Sequence, residues 1–274
     1  MIPAAFDYVR AGSADEVVAA LVEHGDDAKV LAGGMSLLPL MKLRLATPAV
    51  LVDAARLSDL SYVREEGDHV AIGALTRHRD LETSALLGAS CGVLRGVAAE
   101  VGDNQVRHRG TIGGSVVHGD PASDLPAALL ALDATFVAQG PNGVRELDAA
   151  SFFLGFLETA LEPDELLVEI RVPKVGPGGW SYQKFNRRAQ DWAIVGALAV
   201  RGEGGTRVSL VNMGTTPLRA VAVERALAEG ATPEAAAADA ADGTEAPSDL
   251  NGSSTYRQHL ARVLVRRALE QSQA

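Results

Sequence analysis

The sequence predicts a protein of the α+β class that begins with a small α/β unit. Three observations support this prediction. At the N-terminus, a helix signature lies between short apolar runs, as in parallel strands that are joined by helices. The middle of the chain contains hairpin-like alternation around turn residues. After the linker-like Gly176-Pro177-Gly178-Gly179, strand-like runs come first and helix-like runs follow.

The first fifty-odd residues contain the elements of an α/β unit. Ser13-Ala14-Asp15-Glu16 is a capping box, and apolar residues at helical spacing continue from it to Gly25. Residues 30–32 and 49–53 are short apolar runs that predict strands, and residues 39–45 between them predict a helix. The order strand, helix, strand favours parallel pairing.

The middle section has a different pattern. The turn Glu65-Glu66-Gly67-Asp68 lies between two runs with strand character, which predicts a hairpin. An Ala/Leu/Val-rich segment over residues 84–100 predicts a helix, and residues 106–118 are interrupted by several glycines. Further strands are predicted over residues 135–138 and 166–172, and Pro173 closes the second of them.

The C-terminal third reads as a separate α+β domain. Its predicted strands cover residues 181–185, 193–200 and 207–213. Its predicted helices cover residues 219–228, 233–240 and 256–271. A polar loop over residues 242–254 separates the last two helices.

The composition excludes several classes of protein. The 274 residues include 25 Lys and Arg and 35 Asp and Glu, so the net charge of −10 argues against nucleic acid as the main partner. The single cysteine, Cys91, cannot form an internal disulfide or hold an iron–sulfur cluster. The N-terminus has no apolar signal core, and the longest apolar stretch, residues 125–138, is too short to span a bilayer. We therefore expect a cytoplasmic protein without a transmembrane segment.

The first candidate site is Ala32-Gly33-Gly34-Met35-Ser36, which lies between a predicted strand and a predicted helix. Two consecutive glycines let the backbone turn and present successive N–H groups to an anion, and Ser36 adds a hydroxyl donor. The segment lacks the third glycine of a Rossmann loop and the Gly-Lys-Ser/Thr of a P-loop. A tight strand–helix turn without a ligand is the alternative.

The second candidate site is Thr111-Ile112-Gly113-Gly114-Ser115, which repeats the pattern of two glycines flanked by hydroxyl residues. The preceding Arg107-His108-Arg109 forms a local positive spot in an acidic protein and offers possible diphosphate partners. A bulged strand with a solvated basic face is the alternative. Two such loops favour a dinucleotide, because its diphosphate needs donors from more than one side.

Two further groups complete the set of candidates. The segment His118-Gly119-Asp120-Pro121-Ala122-Ser123-Asp124-Leu125-Pro126 offers carboxylates for a sugar hydroxyl or an amide, with N-capping of a helix as the alternative. Lys184 lies in a predicted strand, and Trp192 can offer a flat face to an aromatic ring, with ordinary surface and core roles as the alternative.

These motifs, taken in order, resemble a known family. Residues 32–45, 111–115 and 120–126 are similar to the FAD-binding medium subunits of molybdenum hydroxylases, and the ending over residues 247–269 is similar too. The likeness extends over essentially the whole chain. It is strongest to carbon monoxide dehydrogenase medium subunits and weaker to the flavin domain of xanthine dehydrogenase.

The resemblance implies a vanillyl-alcohol-oxidase-like (PCMH-type) FAD-binding fold. Two α/β subdomains, residues 1–54 and 55–177, would hold the FAD, and a C-terminal α+β domain, residues 178–274, would cover it. The implied cofactor contacts are Val30, Leu31, Ala32, Gly33, Gly34, Met35, Ser36 and Leu37 in the first loop; Thr111, Ile112, Gly113, Gly114 and Ser115 in the second; and Asp124, Leu167, Lys184 and Trp192. No catalytic residue and no metal ligand is implied.

The resemblance also assigns roles and reveals departures. Lys184 would lie near the isoalloxazine ring and stabilise negative charge on the reduced ring, and Trp192 would lie beside it. Val101 corresponds to a flavin-site position where a relative has a larger residue. Met35 stands where members often carry His or Gln, so a polar side-chain contact is lost. Ser115 stands in place of a frequent Asn and keeps a donor.

The function that the resemblance implies is that of an oxidoreductase subunit that transfers electrons. A large subunit with a molybdenum cofactor would oxidise the substrate, and a small subunit would pass electrons through iron–sulfur clusters to this chain's FAD and on to an external acceptor. We expect a heterotrimer, with its dimerisation left open. The alternatives are a stand-alone flavoprotein oxidase or reductase of the same fold, and a non-enzymatic subunit that has lost the flavin.

Overall fold

The structure is a computed structural model that describes residues 2–273. The N-terminal part is a three-stranded parallel sheet in the order β1-β3-β2. Its strands are β1 (Asp7–Arg10), β2 (Ala28–Leu31) and β3 (Val50–Asp53), and its helices are α1 (Ala14–His24) and α2 (Leu37–Leu43). Ser13 caps α1 by accepting a hydrogen bond from the Glu16 N–H, and Glu16 reaches back to the Gly12 N–H. The predicted α/β unit and its capping box are confirmed.

The middle part is built on a five-stranded antiparallel sheet in the order β4-β5-β10-β6-β7. Its strands are β4 (Val63–Glu66), β5 (His69–Gly73), β6 (Thr135–Gly140), β7 (Gly143–Asp148) and β10 (Leu166–Pro173). The strands β8 (Phe153–Gly155) and β9 (Glu158–Thr159) form a separate two-stranded ribbon. The helices are α3 (His78–Thr83), α4 (Ala85–Ser90), α5 (Gly92–Ala99), α6 (Asn104–Arg109), α7 (Ile112–His118), α8 (Asp124–Ala131) and α9 (Ala149–Phe152).

The C-terminal part is a four-stranded antiparallel sheet with helices packed on one face, as the strand-then-helix order predicts. Its strands are β11 (Trp180–Phe185), β12 (Val195–Gly202), β13 (Gly205–Val211) and β14 (Leu218–Arg219). Its helices are α10 (Val221–Ala228), α11 (Pro233–Ala237) and α12 (Ser254–Gln271). The other face of this sheet contributes Leu198 and Val200 to the hydrophobic core of the middle part.

The core explains where a site can form. The largest buried cluster surrounds α5 and α8, both of which pack against the C-terminal sheet. Leu75 and Leu166 of the middle part belong instead to the core of the N-terminal unit. The three sheets therefore meet around the loops that follow β2 and α6 and around the start of α8, and the glycine motifs lie at this junction.

Several local predictions were wrong. The predicted helix over residues 84–100 is two helices that break at Cys91, whose backbone leaves the helical region at φ −153°. Residues 104–109 and 112–118 form α6 and α7, so the bulged strand that was the alternative at the second motif is not present there. The edge strands β1 and β7 were not predicted, because most of their side chains are exposed and lack apolar alternation. No helix within residues 2–273 is long and apolar enough to cross a membrane.

Candidate functional site

A cavity of about 660 Å³ opens where the three parts of the molecule meet. Fifteen of the seventeen predicted contacts line it: Val30, Ala32, Gly33, Gly34, Met35, Ser36, Leu37, Thr111, Gly113, Gly114, Ser115, Asp124, Leu167, Lys184 and Trp192. Leu31 and Ile112 do not line it. Ile112 is fully buried in the core of the middle part, while its chain neighbours Thr111 and Gly113 face the cavity.

The first glycine motif touches the backbone that leads into the second. A Cβ on Gly33 would lie 2.2 Å from the carbonyl oxygen of Arg109 and 2.9 Å from Cα of Gly110, so only glycine allows the first loop to approach this backbone so closely. Gly34 has φ +75°, a left-handed conformation that side chains other than glycine rarely adopt. The backbone geometry therefore favours glycine at both positions, because Gly33 makes a close contact and Gly34 has a positive φ.

The first motif offers free backbone donors to the cavity. The N–H groups of residues 33–36 donate no hydrogen bond to any other residue between 2 and 273. Ser36 precedes α2, and its hydroxyl makes no capping hydrogen bond. A run of unpaired N–H groups beside a hydroxyl is an arrangement that binds anions. The structure thus supports the prediction of an anion-binding loop over residues 32–36.

The second motif offers hydroxyl groups instead, which corrects the prediction of two equivalent loops. The N–H of Ile112 donates to Thr76 O (3.0 Å), that of Gly113 to Ala74 O (2.9 Å) and that of Ser115 to Thr111 O (3.1 Å). The N–H of Gly114 donates to Oγ1 of Thr111 (3.1 Å). Because these four N–H groups are engaged inside the protein, residues 112–115 can offer a ligand only the Ser115 hydroxyl. Thr111 adds its hydroxyl and its own N–H, which donates to no other residue between 2 and 273.

The glycines of the second motif serve close packing rather than donation. A Cβ on Gly113 would lie 2.6 Å from both Cβ and O of Ala74, so glycine lets α7 pack directly on the chain after β5. A Cβ on Gly114 would meet only Oγ1 of Thr111 within 4 Å, on the cavity side. Glycine at position 114 therefore keeps the cavity wall free of a side chain.

The basic segment before the second motif does not face the cavity, which corrects its assignment to the diphosphate. None of Arg107, His108 and Arg109 lines the cavity. The Arg107 guanidinium donates to Glu82 Oε2 (3.0 Å), to Val101 O (3.0 Å) and to Asn104 Oδ1 (2.7 Å), so its charge is already satisfied. Lys29, which the sequence analysis did not select, lines the cavity.

Asp124 and Lys184 form a single buried ion pair. Nζ of Lys184 donates to Oδ2 of Asp124 (2.7 Å) and to the carbonyl of Glu100 (2.8 Å), and the Tyr182 hydroxyl donates to Oδ1 of Asp124. The two charged side chains are 5% and 6% exposed. Burial raises the pKa of the Asp124 carboxyl, while Lys184 and Tyr182 oppose that rise. The charge of Lys184 is therefore balanced inside the protein, which leaves less of it to act on a flavin than the sequence analysis expected.

The remaining predicted residues line the cavity in different ways. Leu167 lies at a bulge of β10 and is almost fully buried. Trp192 is 57% exposed and borders both this cavity and a second one of about 530 Å³. Met35 is exposed at the rim, and Val101 lines the wall.

Two histidines in the cavity wall were missed as site residues. His78, at the start of α3, and His118, at the end of α7, both line it. Burial lowers the pKa of both imidazoles, that of His78 to about 4. His118 was named only as the first residue of a segment selected for its carboxylates, and no spacing in the sequence indicates that His78 meets a motif more than thirty residues later.

The site fits a flavin dinucleotide. Free N–H groups and hydroxyls meet from two loops, which suits a diphosphate, and positions without Cβ allow the backbone to approach it. The lining also includes apolar side chains, among them Val101, Val106 and Leu167, which suit an aromatic ring system.

Comparison with known proteins decides the family. Residues 4–175 match the family described as FAD binding domain in molybdopterin dehydrogenase, and residues 180–272 match the CO dehydrogenase flavoprotein C-terminal domain. The chain belongs to this FAD-binding family. The resemblance stated from the motifs is confirmed, and so are the FAD cofactor and the α+β fold class with an FAD-binding part and a C-terminal domain.

Relatives of this family match along their whole length. The carbon monoxide dehydrogenase medium chain of Hydrogenophaga pseudoflava is 46% identical over 98% of this chain and 97% of its own. That of Afipia carboxidovorans is 41% identical over 100% and 99%. A solved carbon monoxide dehydrogenase from Hydrogenophaga pseudoflava, which lacks the Mo-pyranopterin moiety, superposes with a TM-score of 0.96 at 45% identity, covering 100% of this chain and 99% of that one.

Proposed function

We propose that this chain is the FAD-binding, electron-transferring subunit of a molybdenum hydroxylase of the carbon monoxide dehydrogenase type. One observation carries the proposal: the two glycine motifs line one cavity, where the first motif packs against the backbone that leads into the second, with free N–H groups in the first motif and free hydroxyls in the second. Similarity over the full length of medium chains supports the same role.

Each group of site residues has a proposed part in holding the cofactor. The N–H groups of residues 33–36 and the hydroxyls of Ser36, Thr111 and Ser115 bind the diphosphate, which can only accept hydrogen bonds. The Asp124–Lys184 pair fixes the start of α8 against β11 and so sets the width of the cavity. Leu167 and Trp192 flank the ring system. Bound FAD supplies the ability to accept and pass on electrons; the chain binds and orients it.

The proposal extends to partners and location. Because the chain has one cysteine, the iron–sulfur clusters of the electron path belong to another subunit. We propose a heterotrimer with a molybdenum-cofactor large subunit and an iron–sulfur small subunit, acting in the cytoplasm. We further propose that FAD is held by subdomains over residues 1–54 and 55–177 and covered by a domain over residues 178–274.

Native purification tests this function. The chain is purified from its source without denaturant, and the complex is analysed for FAD, molybdenum and iron. We expect a yellow complex with three kinds of subunit, with FAD on this chain and the metals on the other two. A yellow chain that purifies alone and turns over a substrate would indicate a stand-alone flavoenzyme. A colourless chain that FAD does not reconstitute would indicate a subunit without flavin.

A further inference from the structure

The His78 side chain contacts the second glycine motif and the residue that precedes it. It is 3% exposed, and its ring lines the cavity. Its backbone N–H donates to Gly110 O (3.0 Å), and a Cβ on Gly110 would lie only 2.7 Å from Cδ2 of the ring. The ring is thus held by the chain that leads into the motif, and its position is set by the fold.

Within the described residues, 2–273, the ring makes one polar contact, and that contact is with the second motif. Nε2 of His78 lies 3.3 Å from Oγ of Ser115. Nδ1 is buried and has no hydrogen-bond partner among residues 2–273. Burial, aided by the nearby guanidinium groups of Arg107 and Arg77, lowers the pKa of the imidazole to about 4. At neutral pH the ring is uncharged, so one nitrogen carries a proton and the other accepts.

The two tautomers have opposite consequences for the cavity. If the proton is on Nδ1, then Nε2 accepts from the Ser115 hydroxyl, and the hydroxyl proton points away from the ligand. If the proton is on Nε2, the ring donates to Oγ of Ser115, and the hydroxyl proton is free to donate into the cavity. A diphosphate has no proton to offer at neutral pH, so only the second arrangement gives it a hydrogen bond from Ser115.

The tautomer of His78 matters because the backbone N–H groups of residues 112–115 are already hydrogen-bonded within the protein. The N–H groups from Ile112 to Ser115 are all bound inside the protein, so the hydroxyl is the one donor that Ser115 can offer to a ligand. We propose that His78 is a positioning residue, held as the Nε2–H tautomer, that directs the hydroxyl proton of Ser115 toward the diphosphate of FAD. This inference rests on the proposed binding of FAD in this cavity and adds a residue that acts through Ser115.

The full chain, freed of flavin, tests the proposal by titration with FAD. His78→Phe keeps a ring of similar size and removes the donor, and we expect it to raise the FAD dissociation constant about tenfold, the size of one charge-assisted hydrogen bond. His78→Gln replaces the Nε2 donor with an amide N–H and should stay within about threefold of wild type. In a Ser115→Ala background, His78→Phe should cause no further loss.

The tautomer of the wild-type chain provides a second readout that does not depend on any variant. Nitrogen-15 NMR of the FAD-bound chain is expected to find the His78 proton on Nε2. A proton on Nδ1, or a His78→Phe variant that is folded and binds FAD as tightly as wild type, would overturn the proposal. If wild-type chain binds no FAD at all, the proposed function fails instead, and the two failures are thereby distinguished.

Discussion

Replacing Lys184 by Met removes one half of the buried ion pair that joins the C-terminal sheet to the middle part. The lysine is 5% exposed and supplies Asp124 with a hydrogen bond of 2.7 Å. In the variant the carboxylate keeps the Tyr182 hydroxyl but loses its balancing charge. Breaking a buried pair by removing one partner costs about 3–5 kcal/mol, because the other charge stays buried without compensation.

This cost converts into a change in melting temperature. Unfolding entropy is about 2.1 cal/mol/K per residue. With 274 residues unfolding together, a loss of about 3–5 kcal/mol lowers the melting temperature by about 5–9 °C. The measurement is calorimetry of the chain with flavin removed, so that any loss of FAD affinity does not contribute.

The same variant has a predictable pH dependence. Burial already raises the pKa of Asp124 above its ordinary value, and Lys184 is the largest influence that opposes the rise. Without Lys184 the folded-state pKa rises further, so the folded variant binds a proton more readily than the unfolded chain. The stability that Asp124 contributes by binding this proton is fully present below the unfolded pKa of 3.8. It is lost as the pH rises through the folded-state pKa of the Asp124 carboxyl. The deficit relative to wild type should therefore be larger at pH 8 than at pH 5.

Matched variants make the result interpretable. Lys174 pairs with Glu65 on the surface, where the side chains are 28% and 54% exposed, so Lys174→Met should cost less than about 1 kcal/mol. Asp124→Leu combined with Lys184→Met removes both charges and should recover most of the loss. The reasoning is refuted if Lys184→Met and Lys174→Met have equal effects, or if the deficit does not shrink at low pH.

Two other predictions concern the glycine contact and the cysteine. Gly33→Ala should raise the FAD dissociation constant about tenfold or more, because overpacking against Arg109 costs about 1–3 kcal/mol, whereas Gly178→Ala, with no atom within 4 Å, should not. Calorimetric FAD titration checks this, and equal affinities would contradict it. Burial raises the pKa of Cys91 to about 12, so iodoacetamide at pH 8 should label it only after denaturation; complete labelling of folded chain would be the contrary result.

The sequence allowed prediction of features that are local and buried. The capping box at Ser13, the hairpin around Gly67 and the apolar strand over residues 166–172 follow from spacing alone, and the structure confirms them. The edge strands β1 and β7 were not predicted, because their side chains are mostly exposed and show no alternation of apolar and polar residues. No residue near Cys91 indicated in the sequence that α4 and α5 are separate helices.

The site was predictable as a set of motifs and unpredictable as a set of contacts. Gly33 and Arg109 are far apart in the sequence, so their backbone contact could not be foreseen. Asp124 and Lys184 were predicted as separate candidates, although each neutralises the other in the structure. The N–H groups after Thr111 looked free, but acceptors near β5 and the capping threonine engage them. Such long-range hydrogen bonds depend on the fold rather than on any local pattern.

The most direct test of the central claim is an NMR titration of the flavin-free full chain with FAD. The account predicts one FAD per chain, with large shifts of the amide protons of residues 33–36, which are free to bind the diphosphate. The amide protons of residues 112–115 should keep their internal hydrogen bonds and shift less. Binding of FAD without a change at residues 33–36, or no binding at all, would contradict the account.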